Sequence, residues 1–125
     1  MSKVIDIHPN QEEVIDKVVE EAKKDTETTY TRELKKPIVY NGQEYNRLTF
    51  NFEKLTGNDF LEINAELTAR GVIVVSPSFN SDFVIRVAIR ACDQQIGVDV
   101  FPTMGFTDVL KITNRVRNFM INSEQ

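Results

Sequence analysis

The chain has 125 residues, with 19 acidic side chains against 15 basic ones and a formal net charge of −4. That length fits one domain with a real core, and the acidic balance argues against a general nucleic-acid binder, whose affinity rests on neutralising phosphates. A single cysteine, Cys92, excludes a disulfide framework within the chain, and no run approaches the ~20 apolar residues that span a bilayer.

The start, MSKVIDIHPNQEEV, lacks the long apolar core and small-residue cleavage pattern of a secretory signal, so a soluble intracellular protein is expected. Residues 9–25 predict an amphipathic helix. Asn10 suits its N-cap with Glu13 three residues on. Val14, Ile15, Val18, Val19 and Ala22 form one apolar stripe, and the acids lead while the lysines trail, which suits the helix dipole. Residues 25–35, DTETTYTRELK, are polar and threonine-rich and read as a linker. The expected division is therefore 1–35, a helical arm with a polar linker, and 36–125, a hairpin followed by helices.

Pro37 opens the second unit. Ile38, Val39 and Tyr40 are strand formers, and Asn41-Gly42 is a strong signal for a two-residue hairpin turn. The run from Tyr45 then alternates, placing Leu48, Phe50 and Phe52 on one face of a hairpin over about 37–52. A two-stranded hairpin is marginal alone, so that face needs helices or another subunit. After it, Gly57 is expected to ease a turn. Thr56 or Asn58 caps a helix over about 58–70, with Asp59 or Glu62 near its positive end. Phe60, Leu61, Asn64, Leu67 and Thr68 are its expected apolar face, with Ile63 beside it. Gly71 suits the left-handed residue that ends such a helix. The run Val72–Val75 before Ser76-Pro77 suits a strand or an extended segment.

Residues 79–93 are the most apolar segment and predict the central helix, with Arg86 and Arg90 on its one strongly polar stripe. Gly97 and Pro102 mark a loop. A last helix over about 106–121 builds its face from Val109, Ile112, Val116, Phe119 and Met120. The fold class expected is α+β and mostly helical: an N-terminal helical arm, a β-hairpin, then three helices.

Catalytic chemistry finds no support. His8 and Cys92 offer no zinc-ligand spacing. There is no H-E-x-x-H, phosphate-binding loop, G-x-S-x-G or G-x-G-x-x-G pattern. Glu62 and Glu66 lie four apart and read as a solvated helix face. Arg86 and Arg90 read either as a contact for an acidic partner or as the exposed edge of a buried helix. Lys111, Arg115 and Arg117 offer a basic patch for a helix-turn-helix reading, which the acidic balance opposes. No enzyme, cofactor or metal is expected.

Three segments carry a resemblance. They are the proline-led strand with N-G-x-x-Y and L-T-F-x-F-x-K-L-T-G-x-D-F (Ile38–Phe60), the apolar helix Phe83–Cys92, and D-V-L-K-I-T-N-R-V-R-N-F-M (Asp108–Met120). Together they resemble the tail assembly chaperones of long-tailed, Mu-like and P2-like phages and related prophages, over most of residues 36–120. The hairpin followed by L-T-G-x-D is the most specific part. The resemblance implies a protein that binds the tape measure protein, keeps it soluble and helps recruit tail tube subunits. It would act in the host cytoplasm and stay out of the mature virion. The apolar faces of the terminal helices, for their part, suit a homo-oligomer. Residues expected to meet partners are Val14, Val18, Arg86, Arg90, Phe119 and Met120. The alternatives are a structural tail or baseplate component and, behind it, a small DNA-binding regulator.

Overall fold

The computed structural model describes residues 28–125, so the expected N-terminal helix, with Val14 and Val18, lies outside the described residues. The rest is α+β: a two-stranded antiparallel hairpin, β1 (Thr29–Tyr40) and β2 (Gln43–Asn51), followed by three helices, α1 (Gly57–Ala69), α2 (Ser81–Ala91) and α3 (Phe106–Ser123). Short 3-10 turns at Phe52–Lys54, Pro77–Phe79 and Val98–Thr103 connect them.

The turn is the one its residues predict. Asn41 and Gly42 both take positive φ, 52° and 78°, which a two-residue turn matching the strand twist requires. Leu48, Phe50 and Phe52 are buried together. The first strand corrects the expected linker, because it begins at Thr29 and pairs Thr29 with Asn51 and Tyr30 with Phe50. Tyr30, Arg32 and Leu34 turn inward while Thr29, Thr31 and Glu33 face solvent, a period of two. Threonine and tyrosine favour strands, and a partner strand of the right length overrides the polar composition.

The ladder is interrupted once. Between Glu33 and Ile38 the register shifts, so that β1 places Leu34, Lys35, Lys36 and Pro37 opposite Asn46. Pro37 cannot donate to a ladder, which favours a bulge at this point.

The helices begin and end on local signals. Asp59 accepts from the Thr56 backbone N–H at 2.7 Å and from the Thr56 hydroxyl at 3.2 Å, fixing the first turn of α1. Gly57 is the first residue of that helix, outside the left-handed region, with open space where a Cβ would sit, so the turn does not require glycine there. Gly71 has φ of 80°. The N–H groups of Gly71 and Val72 donate to Thr68 and Leu67 carbonyls, a Schellman ending. Asn80 caps α2 by accepting from the Phe83 N–H at 2.9 Å.

Of the strand or extended segment expected at 72–75, the extended form is the one found, with no ladder partner. Val72 and Val74 pack inward, while Ile73 and Val75 are 85% and 90% exposed, an extended connector. On α1 the buried pair is Ile63 and Leu67, so the helix is rotated from the expected face and Leu61 points outward. The loop 93–105 contributes Ile96, Val100, Phe101 and Met104 to the core. Its first residues also close one edge of the hairpin. Phe50 and Cys92 form an antiparallel bridge, the Asp93 N–H donates to the Thr49 carbonyl at 2.8 Å, and the Thr49 N–H donates to the Gln94 side chain at 2.9 Å. Cys92 is buried there, and that burial pushes its thiol up to about 11. No helix among the described residues is long and apolar enough to cross a membrane.

Candidate partner-binding site

The helices leave an apolar groove of about 550 Å³. Leu55 lines it from the turn before α1, Phe60 and Ile63 from the first half of α1, Phe83 and Val87 from α2, and Phe119 and Met120 from the C-terminal half of α3. Thr56, Asp59, Pro77, Ser78, Ser123 and Glu124 complete its border. Such a concave, mostly apolar site with a few polar groups at its edge is a usual form of binding site.

Aromatic contacts hold the lining in place. The Phe119 ring stacks on Phe52, with centroids 4.6 Å apart and planes 12° from parallel, and the Arg115 guanidinium lies 4.9 Å from the Phe52 centroid. Phe60 packs at a tilt on Phe83 at 5.3 Å and remains 47% exposed, so its outer side faces into the open groove. The far end of α3 is tied to the turn before α2. Buried Ser78 donates through its hydroxyl to Glu124 at 3.2 Å, and Arg117 donates to the Ser78 carbonyl at 2.8 Å.

Arg90 fixes the separation of α1 and α2. Its guanidinium donates to Asp59 at 3.0 Å, to Glu62 at 2.6 Å and to Glu66 at 2.9 Å, while Arg86 lies 3.5 Å from Glu66. Asp59 therefore serves both the helix start and this clamp. The Thr56 amide and then Arg90 hold its carboxyl below the ordinary carboxylate value. Arg90, followed by Asn58, does the same for Glu62. In return Glu62 first, then Asp59 and Glu66, push the Arg90 guanidinium further toward the charged state. Glu62 and Glu66 stay exposed, as expected of them, while pairing with arginines of α2.

The expected partner residues separate accordingly. Phe119 and Met120 line the groove. Arg86 is buried and Arg90 partly buried, and both are spent on α1. Phe60 was missed as a contact residue because the helical period places it on the buried face together with Leu67. On α3, Lys111 is exposed but Arg115 is buried, so the two do not share an exposed basic face.

Replacing Arg90 with alanine is expected to cost about 1 kcal/mol, since the cluster is partly exposed and solvent screens it. Urea unfolding at 0.05 M and at about 0.5 M salt checks this, with the loss shrinking at the higher salt as screening grows. Arg90→Lys should recover less than half, because an ammonium cannot fork between carboxylates.

Comparison of the chain with protein-family models, with curated proteins and with solved structures finds no match.

Proposed function

We propose that this chain is a phage tail assembly chaperone. It binds the tape measure protein, keeps it soluble and helps recruit tail tube subunits while the tail is built. It works in the host cytoplasm, is left out of the mature virion, self-associates through apolar surface, and performs no catalysis. The groove lined by Phe60, Phe83, Phe119 and Met120 carries this reading. An amphipathic helix laid into an apolar groove is a recurrent mode of recognition. The resemblance of Ile38–Phe60 and Asp108–Met120 to tail assembly chaperones suggests which helical protein is bound. Weak sites repeated along one long helical chain gain from effective concentration, so a shallow contact with each copy suffices. The DNA-binding alternative loses support from the burial of Arg115.

Co-expression tests the proposal. With this chain present, the tape measure protein should move into the soluble fraction and co-purify. An insoluble partner with and without it, and no complex, overturns the reading. Mass spectrometry of purified particles separates it from a structural tail or baseplate component, which would yield abundant peptides.

A further inference from the structure

The walls of the groove accept any apolar stripe, so discrimination between helices falls to its border. We propose that the groove takes amphipathic helices whose apolar stripe is flanked by lysine or arginine, one of which pairs with Glu124, and turns away helices flanked by acids. This inference rests on the reading that a partner helix fills the groove.

Three observations support it. The first is depth. A volume of about 550 Å³ holds a few large side chains and not a whole helix, which is roughly 10–12 Å across. The apolar stripe therefore enters, while the flanking residues of the same helix stop at the border. The second is the charge met there. The border carries the carboxylates of Asp59 and Glu124 and no basic side chain among the described residues. Asp59 belongs to the clamp, where Arg86 and Arg90 face the three carboxylates of Asp59, Glu62 and Glu66 and leave an acidic excess. Glu124 is exposed, and among the described residues its carboxylate accepts from the Ser78 hydroxyl and pairs with no cation. Arg117, close by, gives its side-chain donors to the Ser78 carbonyl and to Asn114 instead. The third is the helix end beneath Glu124. α3 stops at Ser123 with no basic residue in its last turn, so the negative end of its dipole is uncompensated at the same border.

An ammonium or guanidinium held at this border gains from both carboxylates and from the helix end without leaving water, whereas a carboxylate placed there is repelled. Apolar fit alone does not separate one amphipathic helix from another, and the repulsion supplies the discrimination. The two readings fail separately. Co-purification of the tape measure protein with no basic preference overturns this inference alone. A basic preference with no tape measure complex overturns only the partner named above.

The probes are two fluorescent peptides of about five helical turns. Both carry one leucine stripe in an alanine and glutamine background, with the flanking positions all lysine in one and all glutamate in the other. Fluorescence anisotropy gives their affinities for the full chain. At about 0.05 M salt the lysine peptide should bind roughly tenfold tighter, and at about 0.5 M that lead should shrink to about threefold or less as screening grows. Glu124→Gln keeps an acceptor for Ser78 and removes the charge, and should cut the low-salt lead about threefold. Glu44→Gln, at an exposed position beside the hairpin turn, makes the same change in net charge and should leave the lead as it is. Equal affinities of the two peptides, binding of neither, or an equal effect of the two substitutions overturns the proposal.

Discussion

Replacing Asp108 with alanine is expected to cost about 3–5 kcal/mol of unfolding free energy, the range for stripping one partner from a buried ion pair. Asp108 lies in the first turn of α3 and is fully buried. Its carboxylate accepts from the Arg32 Nε at 3.0 Å, from the Lys35 backbone N–H at 3.0 Å and from the Lys36 N–H at 3.3 Å. Those two amides sit in the bulge of β1, where β2 offers no matching residue. One side chain therefore does the work of the missing ladder, and it lies near the positive end of a helix dipole as well. Alanine leaves a mostly buried guanidinium and two amides without their acceptor, each at a desolvation cost. Asp108→Asn keeps one oxygen acceptor and should lose about half as much.

The same site has a pH signature. Burial acts to raise the Asp108 carboxyl, but the Lys35 amide, Arg32 and the Lys36 amide outweigh it and hold the group below its ordinary 3.8. A carboxyl depressed by folding stabilises the native state above its unfolded value, and that contribution fades as pH falls through the lower folded value. The urea midpoint of the native protein should therefore drop below about pH 4. Asp108→Asn should flatten that part of the curve. An unchanged acid limb in the variant would place the sensitivity elsewhere.

The second large effect concerns binding. Phe60→Glu, or Met120→Glu, should lower capture of the co-expressed helical partner at least thirtyfold, equivalent to about 2 kcal/mol at a contact that anchors an interface. Phe60 is half exposed and Met120 partly so, hence a carboxylate at either position can reach water in the free protein and the fold should survive. Unfolding midpoints within about 1 kcal/mol of native, together with lost co-purification, would locate recognition in the groove. Full retention of binding by both variants would remove the groove from the mechanism.

The parts readable in the sequence are those specified by neighbours along the chain. Asn41-Gly42 fixes the hairpin, Gly71 stops α1, and the apolar circumference of residues 83–92 marks the central helix. Each signal lies within a few residues of its effect. The N-terminal half of β1 was hidden because its threonines and charges look like a linker until Asn51, Phe50 and Thr49 stand opposite them. Val72–Val75 has strand-forming side chains and no strand beside it. The role of Asp108 has no local signal, since its partners lie 72 to 76 residues earlier in the chain. The site was half legible for the same reason. Phe119 and Met120 follow from the stripe of α3. The exposure of Phe60 depends on how α1 rotates when Arg90 grips Asp59, Glu62 and Glu66, which spacing along one helix does not reveal.

The Asp108 joint also sets an order of events during synthesis. The hairpin leaves the ribosome well before α3, yet the amides of its bulge obtain their acceptor only when Asp108 has emerged. Until then the first strand can pair with β2 at both ends but not settle in its middle. Completion of the earliest described element thus waits for the last helix, a long-range closure of the kind that slows folding. A nascent chain halted before residue 108 would carry a hairpin whose bulge amides still lack this acceptor.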